Sequence, residues 1–113
     1  KEIGDELRRV SRECRDLKIN KKEFFGGSMT ISSLGGIGGT FFTPIINPPE
    51  VAILGVGRSY DKLVKTKGQL VNRKILPISL SYDHRIIDGA EGARFCVHLN
   101  KSLGKDFAFK LAV

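Results

Sequence analysis

The sequence predicts an α/β fold, a sheet with helices packed on one face, and three features carry that expectation. A stretch with the 3.6-residue period of an amphipathic helix opens the chain; segments rich in β-formers follow; helical spacing then returns near the end. At 113 residues the chain holds one domain at most.

Ile3, Leu7, Val10, Cys14 and Leu17 recur at spacings of three and four with charges between them, which predicts a helix over residues 3–17. Lys1 and Glu2 supply no capping residue, so the domain is expected to extend upstream. After the turn formers Gly26 and Gly27, residues 28–33 alternate as a half-buried strand does, with Met29 and Ile31 toward the core and Thr30 and Ser32 away from it. Gly35, Gly36, Gly38 and Gly39 then form a loop that a ligand or another backbone can approach closely. Pro44, Pro48 and Pro49 predict an extended connection, and residues 51–56 a buried strand. A polar stretch rich in turn formers covers residues 57–68. Residues 69–82 read as a strand with a bulge or edge at Pro77. Helical spacing over residues 90–103 predicts a second helix on the sheet, while residues 107–113 fit a short helix or a strand equally. So few helices against five extended segments make a small core, and oligomerisation is expected to cover it.

Composition narrows the function. Charged residues make up 27% and hydrophobic residues 41%, a balance that folds. No apolar run approaches the ~20 residues of a membrane-spanning helix, and the opening residues lack a signal peptide's apolar stretch. A soluble, intracellular protein is the expectation. Cys14 and Cys96 lack the close spacing of a zinc or redox pair and read as reduced, buried thiols. The net charge of +7 would suit a polyanion, a nucleotide cofactor or an acidic partner. Much of it lies in residues 8–22 without interleaved aromatics, so a solvated helix face is the plainer reading than a nucleic-acid surface.

The chemistry concentrates in Asp83-His84-Arg85-Ile86-Ile87-Asp88-Gly89, a histidine at the end of an apolar strand with carboxylates on either side. Strand ends in α/β folds are where sites are built, and a neutral imidazole can take a proton near pH 7. Asp88 could fix the turn, pair with Arg85 or orient the ring; equally, His84 could be structural and cap the next helix. His98 lies mid-helix with no acid at useful spacing and reads as structural or surface. The histidines and cysteines match no usual zinc spacing, so no metal is expected. Gly36-Ile37-Gly38 lacks the third glycine of a dinucleotide loop, because Phe41 stands in its place. No G-x-S-x-G elbow makes Ser28, Ser32 or Ser33 a nucleophile, though a serine can donate to an oxyanion.

That histidine segment resembles the D-H-R-x-x-D-G signature of the dihydrolipoyl acyltransferase components of 2-oxoacid dehydrogenase complexes. Residues 26–35 look like the family's GGTFTISNLG stretch, and residues 44–56 like its TPIINPPEVAILGV stretch. Departures are small: Ser28-Met29 stand where threonine and phenylalanine are frequent, and Ser33 where many members have asparagine. The resemblance covers residues 1–113 but only about the C-terminal half of the family's catalytic domain.

What the resemblance implies is a partial domain of a chloramphenicol-acetyltransferase-like fold, assembled as trimers or a larger cage with each active site between two subunits. An acyl group, acetyl by the look of residues 49–56, would pass between dihydrolipoamide and coenzyme A. His84 would be the general base and Ser32 the oxyanion donor from the neighbouring subunit. Asp88 would hold geometry, with Ser33, Gly35 and Arg85 lining the substrate path. The lipoyl group would arrive on a separate domain, alongside the complex's other components, in bacterial cytoplasm or mitochondrial matrix. A non-catalytic assembly piece of the same family, and a stand-alone acyltransferase or thioesterase, are the competing implications.

Overall fold

The computed structural model describes residues 1–104. In chain order it contains α1 (Glu2–Arg15), a 3-10 turn (Lys21–Phe24), β1 (Thr30–Ser33), β2 (Ala52–Val56), β3 (Tyr60–Thr66), β4 (Gln69–Ile75), β5 (Ile78–Tyr82) and α2 (Gly89–Ser102). The ambiguous segment 107–113 lies outside the described residues.

α1 forms where the 3.6 period predicts it, with Glu2 and Asp5 in its first turn and Arg12 and Arg15 in its last, each favoured there by the helix dipole. Arg9 ties the helix together through Glu6 at 2.7 Å and Glu13 at 2.9 Å, and reaches Glu23 of the 3-10 turn at 3.0 Å. No residue of α1 is buried, and Ile3 and Leu7 are 79% and 63% exposed. The apolar stripe is real, but among the described residues nothing covers it.

The main sheet has the order β1-β2-β5, with β1 parallel and β5 antiparallel to the central β2. β2 supplies the buried apolar side chains Ala52, Ile53 and Leu54. Covered on both faces, it reads as a continuous apolar run, the pattern that identified it. Gly55 continues that run because a Cβ there would lie 2.9 Å from the Phe42 ring, which rests on the strand. α2 packs against β5 and lays the buried Gly92 on the sheet.

The structure departs from the sequence reading at four points. Residues 60–66, read within a polar turn region, form β3. That strand exists because Lys67 and Gly68, both at positive φ, make a two-residue turn that pairs it with β4 from Thr66↔Gln69 to Tyr60↔Ile75. The strand read as continuous over residues 69–82 is two: Pro77 separates β4, which serves the hairpin, from β5, which serves the main sheet. Its carbonyl accepts from Gly57 N at 3.0 Å, joining the two exits. β1 faces opposite to expectation, with Thr30 and Ser32 half-buried and Ile31 69% exposed. Thr30 Oγ1 donates to Glu50 Oε2 at 2.5 Å, which turns the polar side of this edge strand inward. Finally, Cys14 and Cys96 are free but only half-buried, because both ride on helices whose outer faces are open.

Candidate active site

His84 projects from a tight turn that follows β5. Asp83 N donates to Val51 O at 2.8 Å, the last bond of the sheet, and the Asp83 carbonyl then accepts from both Ile86 N and Ile87 N at 3.0 Å. The Asp83 carboxylate accepts from Arg85 N at 3.0 Å and from the Arg85 guanidinium at 2.8 Å. Those bonds hold Asp83 well below the usual carboxylate range, at about 2, so it is ionised at neutral pH and locks the backbone on either side of His84. His84 itself is exposed.

Asp88 caps α2. Its carboxylate accepts from Glu91 N at 2.7 Å while the Glu91 carboxylate accepts from Asp88 N at 3.4 Å, a reciprocal capping box. Of the roles the sequence left open, this fixes the turn; Arg85 pairs with Asp83 instead, and Asp88, not His84, is the capping residue. Asp88→Ala is expected to destabilise the fold by about 1 kcal/mol, and Asp88→Asn by no more than a few tenths, since both Asp and Asn cap well. Urea unfolding of the two variants beside the wild type measures this, and equal losses in both would show that charge, not capping, is what Asp88 contributes.

Ser32, Ser33 and Gly35 lie at the other end of the sheet. Ser32 pairs with Gly55, which pairs with Ser79, whereas His84 comes after Tyr82 at the far end of β5. From the level of Ser79 to Tyr82 is about 10 Å along the strand, and β1 is two strand spacings, about 10 Å, from β5. Within one chain Ser32 and His84 therefore do not meet. Ser32 is half-buried and Ser33 is exposed on the opposite face of β1. Gly35 turns the chain close to the hairpin's base, where an added Cβ would stand 3.2 Å from the Gly57 carbonyl oxygen. The structure thus groups His84, Arg85 and Asp88 at one edge and the serines with Gly35 at the other. His98 is exposed on α2. Among the described residues, no three His, Cys, Asp or Glu side chains gather as metal ligands, and no helix is long and apolar enough to cross a membrane.

One neighbour of His84 escaped the sequence reading. The Tyr82 ring centroid lies 5.7 Å from that of the imidazole, the planes inclined at 39°.

Residues 1–108 match the family described as 2-oxoacid dehydrogenases acyltransferase (catalytic domain). A dihydrolipoyllysine-residue acetyltransferase component of the pyruvate dehydrogenase complex from Cupriavidus necator is 52% identical over 102 residues, which is 90% of this chain and 18% of that protein. The corresponding Buchnera aphidicola protein is 47% identical over 103 residues, 91% of this chain and 26% of its own length. Among solved structures, an Azotobacter vinelandii dihydrolipoamide acetyltransferase superposes with a TM-score of 0.87 at 45% identity, covering 95% of this chain and 44% of that one. The cubic core of a pyruvate dehydrogenase multienzyme complex gives 0.84 at 46% identity, covering 92% and 43%. The chain thus spans about a fifth to a quarter of those two relatives and less than half of the solved chains. In the Azotobacter enzyme, crystallographic and enzymatic work concerned the catalytic role of a serine, a histidine fifty-two positions later and an asparagine four beyond that. Ser32 and His84 are also fifty-two positions apart, and Asp88 stands four beyond His84.

Proposed function

The chain belongs to the 2-oxoacid dehydrogenase acyltransferase family, with its sheet part of the chloramphenicol-acetyltransferase-like fold, and from that premise we propose that it transfers acetyl groups between dihydrolipoamide and coenzyme A. The observation that carries the proposal is the exposed His84, held by a turn locked on both sides, together with a serine at the matching interval that its own chain keeps out of reach.

His84 is the general base. A free thiol with a pKa of about 8.5 is mostly protonated at pH 7, and only the thiolate attacks a thioester well. The imidazole takes the thiol proton as sulfur bonds to the acyl carbon, and the carbonyl oxygen gains the negative charge. Ser32 of a neighbouring copy donates its hydroxyl to that oxygen. When the intermediate collapses, the carbonyl re-forms, the second thiol leaves, and the imidazolium returns the proton to it. Asp88 and Asp83 hold the turn; Arg85, bound to Asp83, and Ser33 and Gly35, near Ser32, border the substrate path.

The partners that follow are a homotrimer or larger cage, a lipoyl domain bearing dihydrolipoamide, coenzyme A and the other components of the dehydrogenase complex. The bacterial relatives favour the cytoplasm as the compartment.

One observation favours a second reading, a non-catalytic piece of the core: among the described residues nothing covers the apolar stripe of α1. The 113-residue chain, incubated with acetyl-CoA and dihydrolipoamide, is expected to sediment as a trimer or larger and to form S-acetyldihydrolipoamide. Coenzyme A binding without transfer would establish the assembly reading in its place.

A further inference from the structure

We infer that Tyr82 is a positioning residue for His84, using the bare backbone of α2 as its support. The inference rests on the reading of His84 as the base. Tyr82 ends β5, where it pairs with Ala52, and His84 follows two residues on. The Tyr82 ring packs closely against α2: a Cβ on Gly92 would come within 2.8 Å of its Cε1 and 3.1 Å of its Cζ, and one on Gly89 within 3.8 Å of its hydroxyl oxygen. Gly92 is the buried residue of α2. Glycine in a helix interior costs about 0.5–1 kcal/mol relative to alanine, so its presence in the second turn of α2 calls for a packing reason, and the aromatic ring supplies one. The same ring meets the imidazole at a centroid distance of 5.7 Å, the planes tilted by 39°.

This contact matters because, among the described residues, no side-chain hydrogen bond holds the imidazole. Asp83, which would be the nearest carboxylate in sequence, is bound to Arg85, and Asp88 is bound to the first turn of α2. The backbone of the turn is fixed by these bonds, while none of them reaches the His84 side chain. Tyr82 closes one sector of that side chain's rotation, and the capping box that starts α2 at Asp88 sets the height of Gly92 beneath the ring. The support therefore runs from Asp88 through α2 and Tyr82 to the imidazole.

The test uses the full chain with three variants, Tyr82→Phe, Tyr82→Leu and Gly92→Ala, and two readouts. By NMR, the His84 ring protons in wild type should carry an aromatic ring-current shift that persists in Tyr82→Phe and disappears in Tyr82→Leu. In the acetyl transfer assay, Tyr82→Leu should lower kcat by about 10- to 100-fold with KM for acetyl-CoA within about 2-fold, the scale of cost expected when a catalytic group is misplaced by about 1 Å. Tyr82→Phe should restore kcat to within about 2-fold, because it keeps the ring that neighbours the imidazole. Gly92→Ala, which favours the helix and pushes on the ring, should lower kcat in the same sense without loss of folding. An unshifted His84 resonance in wild type, an unchanged kcat in Tyr82→Leu, or an equal loss in Tyr82→Phe would each overturn the inference. Full activity in His84→Ala would instead remove the base itself, which separates the two failures.

Discussion

His84→Ala is expected to lower acetyl transfer by about 10³-fold while leaving coenzyme A binding near the wild-type value, the middle of the 10² to 10⁴ range that a positioned general base contributes. The expectation follows from the turn. Because Asp83 is ionised and clamped to Arg85, and Asp88 is committed to α2, neither is free to replace the lost imidazole as proton acceptor. Steady-state kinetics with acetyl-CoA and dihydrolipoamide, beside a direct binding measurement for coenzyme A, supply the comparison. His84→Gln should behave like the alanine variant, since it keeps polarity without basicity. A rate within a few-fold of wild type in either variant would move the base elsewhere in the protein.

Ser32→Ala should lower kcat by about 10² to 10³-fold with a much smaller change in KM, since its bond strengthens as charge reaches the carbonyl oxygen. The register of the sheet makes a sharper test possible. Ser32 stands level with Ser79 on β1, two strands away from β5 and at the opposite end from His84. If one site takes its histidine from one chain and its serine from the next, then His84→Ala and Ser32→Ala chains that are each inactive should recover activity when refolded together. Random assembly places an intact histidine beside an intact serine in about a quarter of the sites of such a ring. Mixtures that stay as inactive as their parents would mean that the pair works within one chain or that Ser32 takes no part; an unchanged kcat in Ser32→Ala alone would shift attention to Ser33.

Much of this molecule is legible in its residues, and the illegible parts share a cause. β2 announces itself because both faces are covered and Ala52 to Val56 are apolar throughout. α2 does so through its helical spacing, while the capping box of Asp88 with Glu91 emerges only in the structure. His84 stands out as a candidate base where a strand stops. β3, by contrast, has Tyr60, Leu63 and Val64 among Asp61, Lys62 and Lys65, and acquires its identity only by pairing with β4 across Lys67 and Gly68. Ile31 points outward because the edge strand is oriented by a hydrogen bond from Thr30 to Glu50, twenty residues away. The separation of Ser32 from His84 is likewise a property of register, which no local pattern encodes. Tyr82 belongs to the same class: its partner Gly92 is ten residues on, and only the packing of α2 on β5 brings ring and glycine together.

The two-residue link between β3 and β4 also has a meaning in time. A hairpin closed so tightly zips on the scale of about 1–10 μs, whereas the parallel pairing of β1 with β2 must first draw together the ends of the long glycine- and proline-bearing span between Ser33 and Ala52, and non-local pairing of this kind is the slower process. The chain therefore organises first at the hairpin, and the strand that carries Ser32 takes its place late.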